Sequence, residues 1–379
     1  MQPTERQGTE ASWRRYWRVL IGVIGAELTV AALLILVGNP YGNLPHVVFR
    51  SHVIMDSNQR YQYPAIVRSG RADSIVIGTS TSRLLRPAAL EELFGGHFAN
   101  LAMDAGTAWE QYRLAQFFLT HTPHPRTLLI GIDAVWCASD ADRAKVTKRG
   151  FPEWMFDDDP WNDLPWMLNK TSAEIAGRRI ATALGLNRER IASDGYEVFT
   201  PAEARYDLAK VERELYGAGG AAPAPLAASA VAYEPSPAER AGWRFPALEW
   251  LADVLAHSAR WQRIVLVFPP PHVTGMPVAG SRGAAREAEC KARITQLAQA
   301  SGVAVVDFRF PSPISREARN YWDKLHYRVG IAERLVTDIG RALGEGRDDP
   351  AGDWKLLAGA AVAASAEQSA SIGATGMRP

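Results

Sequence analysis

Two rhythms of apolar and polar positions alternate along most of the chain. Short apolar runs, Ile75-Val76-Ile77, Leu128-Leu129-Ile130, Ile264-Val265-Leu266-Val267-Phe268 and Val303-Ala304-Val305-Val306, are each bounded by small or polar residues. Such runs read as strands buried on both faces, the pattern of a parallel sheet. A further strand is predicted near His97 to Ala102. Helical spacing fills the intervals. Pro87 to Phe94 carries Pro in its first turn and stops at Gly95-Gly96. Thr107 can cap a helix to about Leu119, whose Ala108, Tyr112, Ala115 and Phe118 share a face. Pro246 to Ala259, Ala284 to Ala300 and Val329 to Leu343 complete the set.

Strands near 74–78, 97–102, 127–132, 263–268 and 303–308, separated by helices, predict a three-layer α/β/α domain with right-handed crossovers over residues 72–343. They fit a flavodoxin-like parallel order, 2-1-3-4-5, whose switch point, where the strand order reverses, falls between the first and third strands beside Ser80, where open sheets hold their chemistry. Residues from about 134 to 260 interrupt the rhythm and are expected to form a large insertion or cap folded over the sheet's active edge. Helices are expected there near Ser172 to Leu184 and Pro201 to Leu215, and Gly217 to Pro237 reads as a flexible linker. Residues 42–71 look like an irregular lead-in, and residues 344–379 like a disordered tail.

A different pattern opens the chain. Val19 to Gly38 is apolar for about 20 residues, long enough to cross a hydrocarbon core of about 30 Å as a helix. Trp13, Tyr16, Trp17 and Tyr41 flank it as interfacial anchors, and Arg14, Arg15 and Arg18 place residues 1–18 in the cytoplasm. The run exceeds a signal peptide's apolar region and lacks its small-residue cleavage site, so an uncleaved single-pass anchor in the inner membrane is expected. The main domain is then expected outside the cytoplasm, in the periplasm if the source is a Gram-negative bacterium. Glu27, within the span, reads either as a contact with another membrane subunit or as a tolerated protonated side chain.

Composition narrows the function classes. A formal net charge of +1 over 379 residues leaves no footprint for nucleic acid. The two cysteines, Cys137 and Cys290, fit no metal-ligand spacing, and no metal or cofactor is expected. They form one disulfide or none. The acidic, tryptophan-dense stretch from Phe151 to Trp166 lacks calcium-loop spacing. Its tryptophans either stack on sugar faces or build a small core.

The chemistry gathers at strand ends. Gly78-Thr79-Ser80 closes the first strand, and Ser80 is either a nucleophile or a helix cap. Acyl transfer at a serine needs a base, an acid to orient it and donors for the developing oxyanion. Asp323 and His326 lie on one loop before the last helix, spaced so that the carboxylate reaches the imidazole. His272, behind three prolines, reads as an alternative base, a substrate contact or a structural histidine. Arg83 reads as an anion contact or an ordinary ion pair.

Gly78-Thr79-Ser80, Asn100, Gly106 and Asp323-x-x-His326 together resemble the SGNH/GDSL hydrolase superfamily over most of residues 72–343. With the anchor and Asn39-Pro40-Tyr41-Gly42, the chain is similar to anchored bacterial members, including relatives of alginate O-acetyltransferases and of teichoic-acid alanylation proteins. The resemblance implies Ser80 as nucleophile, His326 as base, Asp323 as its orienter, and the Ser80 and Gly106 amides as oxyanion donors. It implies an O-acyltransferase or esterase acting on a cell-surface or exported glycan or an acylated small molecule, with a membrane-embedded acyl-donor or export subunit as partner. Two positions depart from the pattern. Asp133, in Gly131-Ile132-Asp133, replaces the usual Asn donor, and a carboxylate there repels an oxyanion unless protonated or turned away. That leaves Asn100 as substitute donor or a weak hole. Thr79 replaces the Asp of the GDSL form. Asp133 thus also supports a second reading, a non-catalytic component of a polysaccharide assembly system.

Overall fold

The computed structural model describes residues 3–44, 58–159, 161–187, 191–217 and 232–360. The chain divides into two compact units, residues 1–71 with 149–197 and residues 72–148 with 198–379.

The first unit is built on the helix Pro3–Gly38. Within its stretch Ser12–Gly38, an 18-residue window reaches a mean hydropathy of 2.5 and is almost uncovered by protein, so the helix is long and apolar enough to span a membrane. Only its end is packed: Ile35 is buried, and Gly38 lies so close to Ala176 that an added Cβ would sit 2.7 Å from the Ala176 Cβ. Ala176 belongs to the helix Lys170–Ala183, capped by Asn169, whose side chain accepts from Ser172 N–H. Residues 59–68, expected to be irregular, form the helix Gln59–Arg68. Pro64 and a polar run hide its periodicity in the sequence, while Asn58 caps it and Tyr63, Ile66 and Val67 are buried. Residues 45–57 of the expected lead-in lie outside the described residues.

The second unit is an α/β domain on a six-stranded, mostly parallel sheet of order β2-β1-β3-β4-β5-β6. Its strands are β1 (Ser74–Ile77), β2 (Phe98–Asn100), β3 (Thr127–Gly131), β4 (Arg263–Phe268), β5 (Ala304–Asp307) and β6 (Lys355–Ala358). The first five are parallel and take the expected order. Val76, Leu129, Val265, Val267 and Val306 share one core cluster with Leu90 of the helix Pro87–Phe94 and with Leu335 and Ile339 of the helix Val329–Glu345. Because strand side chains alternate, Ile75, Ile77, Leu128 and Ile130 turn to the opposite face. There the helices Ala108–His121 and Arg282–Ala300 contact the sheet, with Ala247–Ala256 between them.

Residues 344–360 depart from the expected tail. β6 pairs antiparallel with β5, and the buried Trp354 before it lies under the Arg341 guanidinium, 4.5 Å from the ring centroid. The four residues of β6 carry too little pattern to announce a strand, and the edge of β5 supplies the pairing. Residues 361–379 lie outside the described residues, as does most of the expected linker, 218–231. Cys137 and Cys290 form a disulfide, the alternative that composition left open.

Candidate active site

β1 ends at Ile77, and Ser80–Ser82 follow as a single 3-10 turn. The glycines around it make room for one side chain. A Cβ on Gly78 would sit 2.5 Å from Ser82 Oγ, and one on Gly131 at 1.9 Å. Ser82 therefore tucks between the ends of β1 and β3, which leaves Ser80 at the carboxyl edge of the sheet. Ser80 opens the turn, so its N–H is among the first-turn donors that no carbonyl of the turn reaches.

Ser80 Oγ lies 2.8 Å from His326 Nε2, and His326 Nδ1 lies 2.7 Å from Asp323 Oδ2. Asp323 Oδ1 accepts from the backbone N–H of Leu325 at 2.7 Å and of His326 at 2.8 Å. Burial opposes the Asp323 charge. The hydrogen bond from His326 and the two backbone donors outweigh that burial and hold its pKa below the ordinary carboxylate value. With Asp323 ionised, Nδ1 carries the imidazole proton and Nε2 is left to accept from the serine.

The loop carrying this pair is a small hairpin. Tyr321 and Tyr327 bridge in antiparallel fashion, and Trp322 N–H donates to His326 O at 2.8 Å. Tyr327, buried, donates its hydroxyl to Thr81 O, and Tyr321 donates to Pro270 O at 3.2 Å. His272 N–H donates to Lys324 O at 3.0 Å, and Gly275 approaches the same carbonyl so closely that a Cβ would lie 2.6 Å from it.

His272 is thereby part of the support. Its ring is fully buried between Tyr216 and Tyr321, and its Nδ1 accepts from Thr274 N–H at 3.2 Å. Burial lowers its pKa to about 4, so it is neutral at physiological pH. Arg83 is buried too, donating to Asp104 Oδ1 at 2.6 Å with its guanidinium carbon 4.7 Å from the Phe199 ring centroid.

The expected oxyanion donors are mostly committed elsewhere. Asn100 Nδ2 faces the carbonyls of Ser82 at 2.9 Å, Arg83 at 3.2 Å and Leu85 at 2.8 Å, and its Oδ1 accepts from Ala102 N–H at 3.1 Å. Its role is to fix the segment after the serine turn. Gly106 N–H donates to Met103 O at 3.1 Å. Asp133 is turned into the protein. Its Oδ2 accepts from the hydroxyl of Thr81 at 2.8 Å and from that of Thr79. Burial raises its pKa despite those hydroxyl donors, which favours the neutral acid. The two threonines on either side of Ser80 are thus fastened by the residue expected to disturb it.

Several contributors carried no readable signal. The Tyr327 anchor depends on a contact 246 residues away in sequence. Phe199, from the interrupting segment, lies edge-on to His326 with ring centroids 5.3 Å apart. Tyr206 packs edge-on to Trp322, and Arg328 binds Glu203 at 2.7 Å. Residues 198–217 therefore wall the histidine loop.

Neither a scan against protein-family models nor a search of curated proteins finds a match to this chain.

Proposed function

We propose that this chain is a membrane-anchored, SGNH-like serine esterase or O-acyltransferase that works outside the cytoplasm through an acyl-enzyme at Ser80. The observation that carries the reading is the unbroken relay from Ser80 Oγ through His326 to Asp323, at 2.8 and 2.7 Å. Ser80 Oγ attacks an acyl carbonyl as its proton passes to His326 Nε2, and Asp323 steadies the imidazolium. The Ser80 N–H faces the developing oxyanion. Collapse breaks the bond to the leaving alcohol, which takes the proton from Nε2. Water or an acceptor hydroxyl, deprotonated by His326, then releases the acyl group from Ser80. The resemblance to anchored acyltransferases points to a glycan as acceptor. The Cys137–Cys290 bridge suits an oxidising compartment, as does a domain carried beyond the membrane.

A fluorophosphonate probe tests the nucleophile in the full chain in detergent. The wild type should label, and Ser80→Ala and His326→Ala should fall to background. An unlabelled wild type, beside a serine esterase that labels, removes the proposal. A reporter fused after Met377 tests the orientation, since activity in the cytoplasm contradicts it.

The commitment of Asn100 and Gly106 supports a second reading, a glycan-holding component with a vestigial hole. That reading expects the probe to label while ester substrates show no turnover.

A further inference from the structure

The first unit contains a cavity of about 570 Å³, within the range of about 300–1,000 Å³ common for small-molecule sites. It is lined by residues that the Ser80 chemistry does not use, among them Tyr41, Tyr61, Trp154, Trp166, Asn169 and Thr171. Tyr41, Tyr61 and Trp154 form a mutually tilted triad with ring centroids 5.2 to 6.3 Å apart and interplanar angles of 42 to 68°. Trp166 lines the cavity with 63% of its surface exposed.

Donors remain among these rings. Tyr41 is used, its hydroxyl 3.0 Å from Ser172 Oγ. Tyr61 Oη, Trp154 Nε1 and Thr171 Oγ1 make no hydrogen bond among the described residues. Asn169 Nδ2 donates one N–H to Trp166 O at 2.9 Å, so its second N–H is unspent. Asn58, also in the lining, likewise spends one N–H, on Arg149 O at 2.9 Å. An acyl chain would bury these groups without partners. A planar aromatic ligand would find rings that are not parallel. A saccharide ring presents an apolar C–H face to an aromatic side chain and hydroxyls around its edge, which suits both features.

We infer that this cavity is a saccharide-binding site, separate in residues and in function from Ser80. Tyr41 lies three positions after Gly38, the last residue of the membrane-length helix. The sugar's source is therefore either a soluble polymer or a saccharide carried on a lipid. The inference stands on the cavity's own residues and not on catalysis, so Ser80→Ala leaves it unchanged.

The test uses the full chain in nanodiscs, titrated with hexasaccharides of β-1,4-glucose, of β-1,4-N-acetylglucosamine and of a uronic acid while tryptophan fluorescence is recorded. At least one should give a saturable change. Trp154→Leu should weaken it at least tenfold and Tyr61→Phe a few-fold. Trp166→Ala, at an exposed position that folding tolerates, should also weaken it several-fold. Nanodiscs loaded with a polyprenyl-linked saccharide compete if the lipid-borne form is the natural source and do not if the polymer is. No saturable change with any hexasaccharide overturns the inference. So does binding that survives both Trp154→Leu and Trp166→Ala, or a Trp154-dependent change produced by phospholipid vesicles alone.

Discussion

Two carboxylates flank the serine turn, and their surroundings drive them apart. Asp323 sits on a hairpin with about a third of its side chain exposed, and three N–H donors keep it ionised. Asp133 sits at the end of β3, buried, with two hydroxyls on one oxygen and none of its contacts from a cation's hydrogen-bond donors among the described residues. N–H groups stabilise charge, whereas burial with neutral hydroxyls favours the protonated acid. One side therefore orients the His326 imidazole, and the other fastens the backbone on either side of Ser80. Divergent pKa directions within one site are a way of separating the roles of like residues.

The largest expected effect comes from the ionised side. Asp323→Asn should lower the fluorophosphonate labelling rate by about 10³–10⁴-fold, because an amide no longer fixes the imidazole tautomer. Asp133→Asn retains an acceptor oxygen for both threonines and should change the rate only a few-fold. Equal losses in the two variants would erase the contrast.

The two walls also differ in how they are braced. The β3 side carries Cys137, bridged to Cys290 across 153 residues, whereas the hairpin is held by hydrogen bonds and packing. Replacing both cysteines by Ala should cost about 2–4 kcal/mol in chemical denaturation. Unchanged unfolding would show that the bridge constrains nothing.

Acid should act on the hairpin side through His272. Its folded pKa, about 4, lies below its unfolded value of about 6.5, so the unfolded chain binds more protons between them. Stability should fall as pH drops from 6.5 to 4, by up to about 3 kcal/mol from this group. His272→Gln should flatten that slope in thermal unfolding, whatever it costs at pH 8. A slope as steep as the wild type's would remove His272 as its source.

The smallest effect belongs to Asp133 and has the opposite sign. A raised folded pKa means that the native state holds the proton more tightly, so its ionisation penalises folding as pH rises through that pKa. Asp133→Asn should melt higher than the wild type at pH 8, and the gain should shrink toward pH 4. A gain independent of pH would place its cause outside this titration.

The relation between residues and roles was legible where chemistry is local. Asp323 and His326 are three apart on one loop, so their contact follows from short-range geometry, and Ser80 follows a buried run that must end at the sheet's edge. Asn100 was legible as a strand-end residue, but its role was not, because the three carbonyls it faces come from residues 82 to 85. Asp133 shows the same limit. Its repulsion of an oxyanion is sound electrostatics for a carboxylate aimed into the site, and only the side chain's direction reverses the conclusion. The helix Gln59–Arg68 and strand β6 were missed because their stability comes from the surfaces they cover, with little periodicity of their own.

By itself the sequence determined the apolar membrane-length segment, the five parallel strands and their order, and the residue types at the strand ends. Those features follow from hydrophobic periodicity and backbone preference, which act over a few residues. The tertiary structure alone decided the division into two units, the Cys137–Cys290 pairing, the placing of Phe199 and Tyr327 against the site, and the inward turn of Asp133. Each depends on groups far apart in the chain meeting in a packed interior, where burial and hydrogen-bond partners, and not residue identity, fix what a side chain does.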